Sequence, residues 1–349
     1  MKKLIITLIS LGLLCAPLVL AAKPFGKTGT AALQFLKLGV DARAIGMGEA
    51  YTAVSDDISS VYWNPAGLAP AYQNQAFFSH TNWLAGIMQE YAAASLTNGV
   101  STIALYGTVL HMDNMDITDE ETFGPTGEQF TNSGMAFEAA YGQQFTKKFS
   151  AGVGAKYLRE NLYEFAVNSF SFDVGSMYNT GWKNVKIGMV LRNFGPDIRY
   201  RVDDDEDGRI DEDPFDLIDN DGDGLIDEDG AEIESKIPMS FSLGISGDIM
   251  RDDYNHWIAS LQLDNVVDRK ETWNLGTEYK MGNLFLRGGY QINYDTNGFS
   301  AGIGYQVPTR FAIFNIDYAY TDMGLLKENL LKSSHRLSIK MRYGSQGRK

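Results

Sequence analysis

From about residue 73 onward, apolar and polar residues alternate with a period of two. The alternating runs are short and are broken by Gly, Asn, Asp and Pro, which is the signature of successive β-strands. They predict strands over 73–83, 87–97, 100–110, 133–145, 148–161, 166–179, 183–194, 237–249, 255–266, 270–280, 283–292, 298–307, 309–321 and 334–343, fourteen in all. Trp273, Leu275, Thr277 and Tyr279 share one face, opposite Asn274, Gly276, Glu278 and Lys280. Leu337, Ile339, Met341 and Tyr343 likewise oppose Arg336, Ser338, Lys340 and Arg342. Two architectures produce this pattern. A soluble sandwich turns the apolar face inward, whereas a transmembrane barrel turns it to lipid and lines its lumen with the polar face.

Connection length separates the two. With the N-terminus on the periplasmic side, every even-numbered connection is a periplasmic turn. Those connections are Asn98-Gly99, Thr146-Lys147, Gly181-Trp182, residues 250–254, Met281-Gly282 and Pro308, all short. Both long segments, residues 111–132 and 195–236, fall on odd-numbered connections. Short turns at one end and long loops at the other are the outer-membrane pattern, and a sandwich has no reason to sort its loops this way. Tyr290, Tyr294, Tyr318, Tyr320 and Tyr343 near strand ends suit an aromatic girdle. The last strand, alternating up to Tyr343, closes the barrel and is followed by the tail 344–349.

The start of the chain agrees with export. Lys2 and Lys3 precede an apolar run over 4–14, and small residues at Ala21 and Ala22 provide a cut site, so residues 1–21 read as a signal peptide. That run is too short to span a bilayer, and no later stretch reaches about 18 apolar residues. Cys15 is the only cysteine and lies inside the signal. Leu14 stands where a lipid anchor would need a small residue, so the mature chain has neither thiol nor disulfide chemistry.

Residues 22–72 differ from everything after them. The stretch FLKLGVDARAIGMGEAYTAVSDDISSVYWNPAGL, residues 35–68, is helix-prone and rich in small residues that let backbones approach closely. Pro65 pushes Asn64 out of the helical region, so the segment ends in a turn. A compact piece ahead of a long strand region reads as a plug for the lumen. The GVDARAIGMGEAY run, the Ser55-Asp56-Asp57 step and the WNPAGL end resemble the N-terminal signature of the PorV/PorQ family of outer-membrane proteins, relatives of the FadL-type barrels. Arg43, Gly46, Gly48, Trp63, Asn64, Pro65 and Gly67 carry the match. The resemblance implies an all-β fold, a FadL-like antiparallel barrel of about fourteen strands, with a helical plug over 22–72 and the barrel over 73–349 in the outer membrane. It also implies an accessory role in type IX secretion, with secretion components or secreted cargo bound at the surface. The alternative is a FadL-like channel for hydrophobic small molecules, whose ligand would rest against Ile45, Met47 and Val54.

Charge adds one local feature. The chain carries net −14, and residues 203–230 alone, with twelve Asp and three Glu against one Arg, also carry −14. One external insertion, 196–236, is therefore acidic and the remainder is balanced. Within it Asp203, Asp205, Asp207, Gly208, Asp211 and Asp213 recur sixteen residues later as Asp219, Asp221, Asp223, Gly224, Asp227 and Asp229. Asp at positions 1, 3 and 5 with Gly at 6 wraps oxygen ligands around Ca²⁺. The loop resembles those of EF-hands and thrombospondin type 3 repeats, but Pro214 and Gly230 stand at position 12, where an EF-hand supplies Glu. These ten aspartates are the expected Ca²⁺ ligands.

Nothing points to an enzyme. His80, His111, His256 and His335 fall on different predicted elements, and His111, with Asp113 and Asp116 nearby, reads as an ordinary polar loop residue. Gly26-Lys27-Thr28 lacks the strand and the upstream Gly of a phosphate loop. No basic patch with interleaved aromatics suggests nucleic acid.

Overall fold

Outward-facing apolar residues and inward-facing polar ones define the architecture. On the strand 240–251, Phe241, Leu243 and Ile245 are exposed while Ser240, Ser242 and Ser246 are buried. Trp273 and Leu275 are likewise exposed, and Asn274 and Glu278 lie inside at 0 % and 3 % exposure. A water-soluble protein would reverse this order, because exposed apolar area costs about 25 cal/mol per Å² in water but nothing in hydrocarbon.

The computed structural model describes residues 29–69, 73–118, 124–163, 165–200, 233–294, 298–322 and 333–344. The expected signal peptide, Cys15 and the ten candidate calcium aspartates (Asp203, Asp205, Asp207, Asp211, Asp213, Asp219, Asp221, Asp223, Asp227 and Asp229) lie outside the described residues. In chain order the strands are β1 (Asn74–Asn82), β2 (Met88–Thr97), β3 (Ser101–His111), β4 (Met115–Thr118), β5 (Pro125–Phe130), β6 (Asn132–Gln144), β7 (Phe149–Leu162), β8 (Phe165–Asn179) and β9 (Lys186–Phe194). There follow β10 (Ile198–Tyr200), β11 (Ile233–Ser235), β12 (Ser240–Arg251), β13 (Asn255–Val266), β14 (Thr272–Met281), β15 (Leu284–Ile292), β16 (Phe299–Pro308), β17 (Ala312–Asp322) and β18 (Ser333–Tyr343).

Fourteen of these form a closed antiparallel barrel, each beside its sequence neighbour. Closure comes from β1 pairing with β18, Asn74 opposite Tyr343 and Asn82 opposite His335. A closed ring leaves no strand edge unpaired in lipid, where an unsatisfied backbone group costs several kcal/mol. The other four strands are a difference from the sequence expectation. β4 pairs with β5 and β10 with β11, two small hairpins within the long connections. They are three to six residues long, too short and too polar for period-two alternation to reveal. Pro308 ends β16, so the turn falls after it.

Candidate functional site

Residues 30–69 run through the interior of the barrel. The segment begins at the long-loop end, where Ala32 N donates to Lys236 O (2.9 Å) and Leu33 N to Glu160 Oε2 (3.0 Å). It ends at the short-turn end, where Ser150 Oγ donates to Ala66 O (3.0 Å) shortly before β1 starts. It is not one helix. Helical turns at Ala42–Gly46 and Ser60–Trp63 and 3-10 turns at Gln34–Lys37 and Pro65–Leu68 alternate with sharp reversals. Leu33, Asp41 and Glu49, at φ of 51°, 75° and 64°, take left-handed conformations that interrupt helical hydrogen bonding. Asn64 is extended (φ −166°, ψ 103°), as the following proline requires, and its Oδ1 accepts from Ala66 N (3.1 Å).

The small residues find their reason where this segment meets the wall. Inward glycines on eight of the fourteen barrel strands lie under it. A Cβ at Gly142 (β6) would stand 2.6 Å from Pro65 O, and one at Gly152 (β7) would also strike Pro65. Gly175 (β8) receives the Asn64 side chain, Gly188 (β9) and Gly244 (β12) receive Thr52 and Ala53, and Gly276 (β14) receives Met47. Gly289 (β15) and Gly302 (β16) face Gly48 and Gly46, glycine against glycine. Gly67 folds within the segment, where a Cβ would meet Ser55 O at 2.5 Å. Four of the seven signature residues (Gly46, Gly48, Pro65 and Gly67) are thus explained by close backbone approach, and Asn64 by the side chain it seats on Gly175. Trp63 is 2 % exposed, donates from Nε1 to Val40 O (3.0 Å) and meets Tyr51 and Tyr62 edge-on.

Arg43 is the seventh, and it organises the charges. Its Nε and Nη2 clasp both oxygens of Glu278 (2.9 Å each), and its Nη1 reaches Asp56 (2.7 Å), Asp57 (3.2 Å) and the Tyr51 hydroxyl (3.0 Å). Glu278 also takes Arg287 Nε (2.6 Å), which extends to Asp317 (2.7 Å). Lys340 bridges Asp41 (2.5 Å) and Asp57 (2.6 Å). Burial alone would raise the Asp57 carboxyl, but Lys340 and Arg43 outweigh it and hold it well below the ordinary carboxylate range. Sequence reading named Arg43 but missed Glu278, Arg287, Asp317 and Lys340. Each lies on the polar face of its strand, and only the register brings them level.

Two cavities lie on opposite sides of the segment and share no lining residue. One, of about 340 Å³ at the short-turn end, is lined by Arg43, Asp57, His256, Glu278, Arg287 and Lys340. The other, of about 270 Å³, lies at the long-loop end beside Ile45 and Glu49. Met47 and Val54, at 0 % and 3 % exposure, are packing residues, and only Ile45 of the three expected ligand contacts borders a cavity.

The segment is also tied at its start. Lys37 Nζ and Gln34 Nε2 each reach Asp268 Oδ2 at 2.9 Å in the connection after β13. Burial alone would raise Asp268, yet Gln34 and Lys37 bring it below the usual carboxylate range. An acid with a depressed folded value contributes stability above its unfolded pKa, ~3.9, and loses it as pH falls through the folded value. Protease access to residues 30–40 is therefore expected to rise below about pH 4. In Asp268→Asn that acid step should shrink, at a cost of about 1 kcal/mol in segment docking at neutral pH.

Comparison with known proteins bears on the whole of this arrangement. A family model described as type IX secretion system protein PorV matches residues 23–269. Comparison with curated proteins gives no match. Among solved structures, the Pseudomonas putida toluene transporter TodX superposes with a TM-score of 0.56 at 12 % identity, covering 87 % of this chain and 97 % of its own. The Ralstonia pickettii toluene transporter TbuX gives 0.57 at 12 % identity, covering 87 % and 98 %. A Pseudomonas aeruginosa FadL homologue gives 0.52 at 12 % identity, again covering 87 % and 98 %. At such identity these likenesses establish the FadL-like barrel fold and nothing about ligands.

Proposed function

The chain belongs to the family of the type IX secretion system protein PorV, and from that membership we propose that this outer-membrane barrel serves type IX secretion, binding secreted cargo or a secretion component at its external loops. The observation that carries the reading is the extent of the match, which runs from the luminal segment through β13 and includes the long insertion. Binding is proposed, not catalysis. In a deletion strain, cargo carrying the secretion signal should accumulate in the periplasm, and the tagged barrel should co-purify with secretion components. Normal surface display of all cargo in that strain would refute the proposal.

A second reading, uptake of hydrophobic small molecules, is favoured by one observation. A groove of about 480 Å³ on the lipid-facing wall of β3 and β6–β8 is lined by Leu105, Phe137, Tyr157, Phe170 and Phe172. Uptake predicts slower entry of a labelled hydrocarbon in the deletion strain, with cargo display intact.

The acidic insertion is proposed to bind Ca²⁺ through Asp203, Asp205, Asp207, Asp211 and Asp213 and their counterparts sixteen residues on. Isothermal titration should give calcium-dependent heat with a Kd of ~10⁻⁴–10⁻³ M, absent after removal of residues 203–230. An intact barrel that gives no such heat rules this out.

A further inference from the structure

The cavity at the long-loop end has an unbalanced charged lining. Arg336, inward on β18 and 4 % exposed, spends its Nε on Thr81 Oγ1 (2.7 Å) and has no carboxylate within ion-pair distance among the described residues. Arg269, in the connection after β13, stacks on Tyr294 at 4.5 Å and donates to its hydroxyl (3.0 Å), leaving its buried Nε without a partner. Arg192 of β9 borders a smaller adjoining space that shares Lys37, Glu49 and Arg269 as lining. Its guanidinium lies 5.1 Å from the Tyr62 ring centre, and its Nε too is buried and unpartnered.

Among the described residues, three guanidiniums face two carboxylates. Asp264 is already satisfied by neutral donors, Gln262 Nε2 (2.8 Å) and Asn274 Nδ2 (2.7 Å). Glu49 accepts no side-chain hydrogen bond among the described residues, and burial pushes its carboxyl up although Arg269, Arg336 and Arg192 face it. Lys37 and Asp268 cancel each other. Counted over the described residues, the site therefore carries a surplus of one positive charge with Glu49 ionised and two with it neutral. A buried surplus of this kind is costly unless a counter-charge enters.

We propose that this cavity binds a compact oxyanion, a phosphate or carboxylate group on a small polar molecule, held by Arg269 and Arg336 with Arg192 behind them. The planar guanidinium presents paired donors that match either group. A space of about 270 Å³ beside Trp83 and Tyr294 admits the anion and a small body, not a long chain. The inference is independent of the secretion reading, since it concerns binding to the purified barrel alone.

The test is isothermal titration of the full-length barrel in detergent with inorganic phosphate and, separately, succinate, at constant ionic strength. At least one probe should bind saturably. Arg269→Gln should weaken it by about tenfold or more, the loss of one charged hydrogen-bonding partner. Glu49→Gln, which removes any opposing charge, should bind at least as tightly, and Lys280→Gln at the other cavity should change nothing. Binding of phosphate only marks a phosphorylated ligand, of succinate only a carboxylate, and of both a general oxyanion site. No saturable heat with either probe overturns the proposal. So does an unaltered affinity in Arg269→Gln whose heat-modifiable gel shift is intact, or a Glu49→Gln variant that binds more weakly.

Discussion

Gly289→Val will expel the luminal segment from the barrel and raise the conductance of the lumen. A Cβ at Gly289 would lie 2.5 Å from Gly48 Cα and closer still to Gly48 N and Met47 C, all backbone atoms. No rotamer change relieves a clash with backbone. Gly48 cannot rotate away either, since its φ of 62° and its own approach to Gly289 (3.0 Å from a Cβ there) already fix it. The neighbouring wall is equally tight, because Gly276, directly across from Gly289, receives Met47. Valine is a good strand residue, so the barrel ladder itself should persist. Single-channel recording in planar bilayers should then show higher conductance than the parent's, with the heat-modifiable gel shift retained. Gly288→Val is the control: that residue's nearest neighbour is Thr277 Cγ2 at 3.8 Å, and the variant should conduct as the parent does. A Gly289→Val barrel that conducts no more than the parent would show that the segment is not seated against β15.

The second large effect is at Arg43. Arg43→Met removes both bonds to Glu278 and those to Asp56, Asp57 and Tyr51, while the carboxylates stay inside the barrel. Breaking a buried pair by deleting one partner costs ~3–5 kcal/mol, because the remaining charge is left uncompensated. Arg287 and Lys340 still serve Glu278 and Asp57, which places the expectation toward the lower end, about 3 kcal/mol. Arg43→Lys should recover only part of it, since an ammonium cannot clasp both Glu278 oxygens at once. The measurement is the urea midpoint for exposure of Trp63, followed by fluorescence quenching. Equal midpoints for Arg43→Met and the parent would mean that the network does not hold the segment.

Which features were legible follows from how far apart their partners are in the chain. Strands such as β14 and β18 show their alternation within ten residues or so, and their ends are punctuated by Gly, Asn and Pro. The stop at Asn64-Pro65 is equally local. The Lys340–Asp41 contact instead joins residues 299 apart, and Arg43–Glu278 residues 235 apart. Nothing in either neighbourhood specifies that partner. The glycines raise the same difficulty. Gly142, Gly152 and Gly175 look like ordinary strand glycines until the register sets them side by side. Helix-prone composition over 35–68 also overstated the helix. Left-handed residues at Leu33, Asp41 and Glu49 obey the shape of the cavity they fill, not their own propensity.

By itself the sequence determined the fourteen barrel strands, the closure of an even-numbered barrel, the gathering of the long loops at one end and the family of the luminal segment, because each is written in short-range periodicity, loop length or one contiguous motif. It did not determine which face of each strand lines the lumen at which height. Ring closure and strand register decide that, and with them the row of glycines beneath the segment, the Arg43–Glu278–Arg287–Asp317 chain and the approach of Arg192, Arg269 and Arg336 across two adjoining spaces. The physical reason is that alternation with a period of two fixes sidedness only up to a choice, whereas charge compensation and backbone clearance depend on distances between residues the chain keeps far apart.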